Sequence, residues 1–283
     1  MAMARIVLGN REGSVAIRQG RAVLEQLTEE WPDLHLTLRT VANAGHHHAG
    51  ALLDALTRGE VHVAVVQLDT LPTTLPEGVT LAAVLRRGEA RSALVARGAR
   101  TLAALPEGAR VAVVSERDAA FLRAMHGRVN DEVSSEPADA VLARLGAGEI
   151  DAVLLPAATL TVLDLRNRID AVLDTETFTP APGQGAVGLA VRADDDLAFE
   201  TAYSLQHRPS YDRVRAERAF AAALVDNPVG ALASVTDDGE LTLFGAVVFD
   251  GSTLQATVTG EAREAEELGR ELANDVREQL AAI

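Results

Sequence analysis

The sequence predicts an α/β protein of three units, two with a strand–helix–strand rhythm and a last one that is α+β. Three observations carry this. Short apolar runs alternate with helix-period segments over the first two thirds of the chain. After Gln206-His-Arg-Pro-Ser210 the pattern changes to longer strands joined by tight turns. The 283 residues are 48% hydrophobic but only 3% aromatic, enough chain for two or three small cores built mainly from Ala, Val and Leu.

The elements follow in order. Ile6-Val-Leu8 reads as a strand, and Val15 to Leu27 as a helix with apolar residues at helical spacing. His35 to Val41 alternates as a strand does, and Ala49 to Leu56 is helical. The strands Val61 to Val66, Val79 to Val84 and Ser92 to Val95 follow. A second unit opens near Leu102, with strand Arg110 to Val114 and a helix Arg117 to Met125 capped by Ser115. Helix Ala138 to Leu145, with Gly146 and Gly148 near its end, leads to strand Ala152 to Leu155, bounded by Pro156. The Pro- and Gly-rich stretch Thr179 to Gly185 separates this unit from strand Ala186 to Val191. Tyr211 to Leu224 is a helix, and Leu232 to Val235, Leu241 to Phe249 and Thr253 to Val258 are strands. Asp237-Asp-Gly and Asp250-Gly link them as hairpins, and Glu261 to Leu280 is a long amphipathic helix.

Composition excludes several chemistries. With no cysteine there is no disulfide, thiolate nucleophile or thiolate metal site. All 26 basic residues are arginine, so Schiff-base chemistry has only the N-terminal amine. A net charge of −15 argues against nucleic acid or an anionic membrane as partner. No apolar run approaches the roughly 20 residues that span a bilayer. The N-terminus reads as a strand rather than a signal peptide, so a cytoplasmic location is expected.

Four segments carry a resemblance to a known family. Thr179-Pro-Ala-Pro-Gly-Gln-Gly-Ala-Val-Gly188 enters a strand after two strand–helix units, and Arg215-Ala-Glu-Arg-Ala-Phe220 follows it on a helix. Gly148-Glu-Ile-Asp-Ala-Val-Leu-Leu155 and Asn10-Arg-Glu-Gly-Ser-Val-Ala-Ile-Arg-Gln19 are the other two. In this order they resemble hydroxymethylbilane synthase, also called porphobilinogen deaminase. The resemblance implies two α/β domains like type II periplasmic binding proteins around a cleft, plus a small α+β C-terminal domain. It implies boundaries at 1–90 with 182–206, at 91–181 and at 207–283. It also implies tetrapyrrole chemistry: a dipyrromethane cofactor held through a cysteine thioether, a catalytic aspartate, a loop lysine and arginines that clamp carboxylates.

The chain departs from that pattern throughout the cleft. The cofactor loop reads Val225-Asp-Asn-Pro-Val-Gly230, shorter than the family's and without the cysteine, so a covalent dipyrromethane is excluded and no cofactor is expected. Anchoring on Ala64-Val65 and Pro72 puts Asp69 at the family's lysine and Thr70 at its aspartate. A one-residue shift instead brings Asp69 to the aspartate position. Arg11 and Arg117 match clamp arginines, but Asp118 reverses the charge of a third, and Ser135, Val141 and Val162 stand at others.

The candidate sites each have a functional and a structural reading. Arg11 and Arg117, with Ser115 beside them, could hold an anionic group, or could be ordinary ion-pair residues. Gln184 and Gly185 could touch a ligand or simply shape a hinge. Asp69 could serve as a general acid or as a turn cap. His46, His47 and His48 form either a solvated loop or, two of them with a carboxylate, a metal site. The leading expectation is a pseudoenzyme that binds a small anionic ligand in the cleft or a protein partner. The rivals are a divergent synthase with a noncovalent primer, Asp69 serving as acid, and a regulatory subunit docking on another tetrapyrrole enzyme through its acidic surface.

Overall fold

The computed structural model describes residues 4–42 and 49–282. In chain order the first segment holds β1 (Arg5–Arg11), α1 (Ser14–Glu30), β2 (His35–Val41), α2 (Gly50–Thr57), β3 (Val63–Gln67) and β4 (Val79–Val84). The second holds β5 (Ser92–Ala96), β6 (Arg110–Val113), α3 (Glu116–His126), β7 (Asn130–Val133) and α4 (Ala138–Ala147). It continues through β8 (Ala152–Pro156), α5 (Ala157–Val162) and β9 (Ala171–Val172). The chain then forms β10 (Val187–Arg192), α6 (Asp196–Tyr203) and α7 (Arg208–Ala223). It ends in β11 (Val229–Val235), β12 (Glu240–Phe249), β13 (Ser252–Glu261) and α8 (Ala265–Ala281).

These elements form two compact units, Met1–Arg87 with Ala186–Tyr211, and Gly88–Gly185 with Asp212–Ile283. The first contains a five-stranded sheet of order β2-β1-β3-β10-β4, in which β1 runs parallel to β2 and β3, and β10 antiparallel to β3 and β4. Its central strand β3 is apolar and buried from Val63 to Val66 because both faces are covered, whereas edge strand β2 carries polar residues among its apolar ones. The core joins Leu8, Val63, Val65, Leu189 and Val191 to Val23 and Leu27 of α1.

The second unit repeats the plan. Its sheet has the order β7-β6-β8-β5-β9, again with a parallel centre and an antiparallel strand beside it, here β5, the unit's first strand. That shared order is the type II binding-protein arrangement of two mixed α/β sheets. The three-stranded antiparallel sheet β11-β12-β13, backed by α7 and α8, belongs to the same unit. The reason is a shared core: Val111, Val113, Phe121 and Phe178 pack with Ala246 and Val248 of β12. The segments expected as a middle and a C-terminal domain thus share one compact unit.

Most elements lie within a few residues of their expected places, and the differences have local causes. β13 runs on to Glu261 and α8 starts only at Ala265, because Glu240 pairs with Glu261 across the hairpin. The turn Asp250-Gly251 has φ of 45° and 73°, the double left-handed geometry of a type I′ hairpin. No helix among the described residues is long and apolar enough to cross a membrane.

Candidate functional site

In the second unit, Arg117 lies in the first turn of α3, just past β6. Ser115 caps that helix: its Oγ accepts from the Asp118 N–H at 3.1 Å and donates to Asp118 Oδ2 at 2.8 Å. This fixes the Asp118 carboxylate, which accepts from Arg117 Nη1 at 2.5 Å. Asp118 is buried and Arg117 mostly so, their side chains 7% and 13% exposed. Arg117 Nε donates to the Val229 carbonyl at 2.9 Å and Nη2 to that of Thr179. The guanidinium carbon lies 4.0 Å from the centroid of the Phe121 ring, which meets Phe178 edge-on at 6.0 Å. Burial pulls the Arg117 pKa below the ordinary arginine value, and Asp118 opposes that shift.

Arg117 is therefore an internal strut that ties α3 to β11 and to the loop at Thr179. Gly230 makes room for it, since a Cβ there would lie 2.6 Å from Nη2 and 2.7 Å from Thr179 Cβ. The loop of residues 225–228, which stands where the family carries its cofactor cysteine, leads straight into this contact.

Gln184 and Gly185 also have internal work. Gln184 is 2% exposed, and its Nε2 donates to the Ala90 carbonyl at 2.6 Å and to Ser92 Oγ at 3.1 Å. Gly185 has φ +77°, and a Cβ there would lie 2.6 Å from the Glu89 carbonyl oxygen. Glu217 completes the brace, accepting from Gly183 N at 2.7 Å and Ala233 N at 2.9 Å while fully buried. Its signal was present in the sequence: a carboxylate three residues from Val214 and Phe220 and four from Ala221, on the apolar stripe of α7.

In the first unit, Arg11 ends β1, and Asp69 lies in a short 3₁₀ turn, Leu68–Thr70, just after β3. Since β1 and β3 are neighbouring parallel strands, both residues stand at the carboxyl edge of the sheet, where open α/β sheets bind ligands. Partial burial lowers the Arg11 pKa, and the Asp69 carboxylate acts against it. The Thr70 hydroxyl donates to the Gln67 carbonyl at 2.9 Å, a bond within the turn. His46, His47 and His48 lie outside the described residues. Among the described residues no three His, Asp or Glu side chains are grouped to hold a metal ion.

A covalently held dipyrromethane does not fit this chain. There is no thiol to form the thioether, and at Arg117 the guanidinium is already met by Asp118 and two backbone carbonyls.

The family profile described as porphobilinogen deaminase, dipyromethane cofactor binding domain, matches residues 6–200. The porphobilinogen deaminase of Thermus thermophilus is 43% identical, with 98% of this chain and 97% of that protein covered. That of Deinococcus radiodurans is 37% identical, covering 99% of this chain and 97% of the relative. Among solved structures, the periplasmic aliphatic sulphonate binding protein SsuA from Escherichia coli aligns with TM-score 0.47 and 16% identity over 99% of this chain and 94% of that one. The profile and the full-length relatives decide the family: this chain belongs to the porphobilinogen deaminases, the family of tetrapyrrole biosynthesis.

Proposed function

We propose that this family member does not polymerise porphobilinogen on a covalent primer, and acts instead by binding a small carboxylate ligand at the Arg11 edge of its first sheet. The observation that carries this reading is the inward engagement of Arg117 with Asp118, in a chain that also lacks any cysteine. An arginine whose fork already meets a carboxylate and two carbonyls offers little to a ligand anion. Arg11, at the carboxyl edge of the sheet, is the arginine assigned to the ligand. Asp69 beside it favours a carboxylate that also carries a hydrogen-bond donor or a positive group, since an anion alone would feel both charges.

A second reading is an active enzyme that holds its primer noncovalently, favoured by the relative 43% identical over nearly the full length and named porphobilinogen deaminase. Porphobilinogen consumption by the purified protein, against a no-protein control for spontaneous condensation, separates the two. Consumption at the control rate supports the binding reading; faster consumption overturns it. Carboxylate binding measured by calorimetry should fall at least about tenfold in Arg11→Ala, as expected when a charged hydrogen-bond donor is lost. Equal affinity in both proteins would remove Arg11 from the site.

A further inference from the structure

The chain has only nine aromatic residues, and three of its six phenylalanines, Phe121, Phe178 and Phe220, are fully buried. On α6 the opposite choice is made. Phe199 and Tyr203 are 40% and 54% exposed, and their rings stack at 5.8 Å with an interplanar angle of 11°. They are four residues apart and so share a helix face, with Leu197 also 36% exposed. The other face of α6 buries Ala198, Thr201 and Ala202, so the helix is already anchored without the rings. A single exposed aromatic needs no explanation, whereas a stacked pair in so aromatic-poor a chain does.

The surroundings of the pair are acidic. Asp194, Asp196 and Glu200 are exposed, and Asp194 lies 3.6 Å from Arg192 with its side chain 88% exposed. Among the described residues no basic side chain pairs with Asp196 or Glu200. Carboxylates in the first turn stabilise the helix, but that role does not call for Glu200, which sits between the two rings in sequence. Flat π faces next to carboxylates suit a guanidinium, which stacks on rings while its N–H fork bonds carboxylates. Phosphate-bearing partners, whether nucleic acid or anionic lipid, would be repelled.

We propose that the exposed face of α6, with Phe199, Tyr203, Asp194, Asp196 and Glu200, docks an arginine-bearing segment of a partner protein. This is independent of the ligand reading, since it uses none of the residues at the Arg11 edge. The test is a fluorescence-anisotropy titration of the full chain into a labelled octapeptide of alternating arginine and alanine, with lysine–alanine as comparison. Phe199→Ala/Tyr203→Ala should weaken arginine-peptide binding at least about tenfold. A control pair on α8, Glu271→Gln/Glu278→Gln, should leave it unchanged, and the lysine peptide should bind more weakly. Far-UV circular dichroism checks that the double variant is folded. Three results would overturn the proposal. One is equal affinity in all the proteins, which means diffuse attraction to net negative charge. Another is lysine binding as tightly as arginine. The third is sedimentation showing the chain alone pairing through this face, which makes a second copy the occupant.

Discussion

Replacing Arg117 by methionine distinguishes a strut from a ligand clamp. Methionine keeps an apolar stem against Phe121 but removes the guanidinium, leaving the buried Asp118 without its partner and the Thr179 and Val229 carbonyls without their donor. Breaking a buried ion pair from one side costs about 3–5 kcal/mol, and the retained stem argues for the lower end. Unfolding entropy of about 2.1 cal/mol/K per residue gives about 0.6 kcal/mol/K for 283 residues, so a 3 kcal/mol loss lowers Tm by about 5 °C. Thermal unfolding followed by far-UV circular dichroism measures this. The cycle with Asp118→Ala adds a second constraint. Arg117→Met/Asp118→Ala should be more stable than the sum of the two single losses predicts, by about 1.5 kcal/mol or more, because the double variant buries no orphan charge. A Tm change under about 1 °C in Arg117→Met, with a loss of carboxylate binding, would refute the strut and return Arg117 to the ligand.

Two more predictions concern pH and backbone space. The His62 Nδ1 accepts the Val7 N–H at 3.0 Å, and burial, helped by Arg192 and Arg5 against the pull of Asp195, holds its pKa below the ordinary histidine value. A depressed histidine pKa favours the neutral ring in the folded state. Its contribution is therefore complete above about pH 6.5 and is lost as pH falls through the lower folded value. His62→Gln should flatten the stability difference between pH 7.5 and 5.5 in urea melts, and an unchanged difference would assign that dependence to other groups. Gly185 and Gly251 have nearly the same φ, +77° and +73°, but only at Gly185 would a Cβ meet backbone, the Glu89 carbonyl at 2.6 Å. Gly251→Ala should cost about 1 kcal/mol for the left-handed conformation alone, and Gly185→Ala about 3 kcal/mol or more. Similar losses at the two positions would show that the loop at Gly185 yields.

The strands and helices of the two α/β sheets were legible because their signals are local. β3 and β8 are continuous apolar runs, α1 has helical spacing, Ser115 is a serine immediately before a helix, and Asp250-Gly251 is a hairpin dipeptide. What escaped the pattern was short: α5, β9 and α6 have eight residues or fewer, and β7 reads Asn-Asp-Glu-Val, its identity as a strand resting on pairing with β6. Glu261 likewise joined β13 through Glu240, although its own neighbourhood looks helical.

The sequence by itself determined the family, the order of elements and the impossibility of a thioether, since each depends only on which residues are present and in what order. The tertiary structure decided what the matching residues do. Arg117 reads in sequence either as a clamp or as an ordinary ion-pair residue, and Asp118 as a repulsive change beside it. Folding turns the two into a pair, because the Ser115 cap holds the carboxylate at the guanidinium and β11 brings the Val229 carbonyl from 112 residues away. Gln184 and Glu217 follow the same rule, with partners separated by 94 and 34 residues along the chain. A side chain's hydrogen-bonding capacity is a local property, but which groups claim it depends on contacts that only the folded chain brings together.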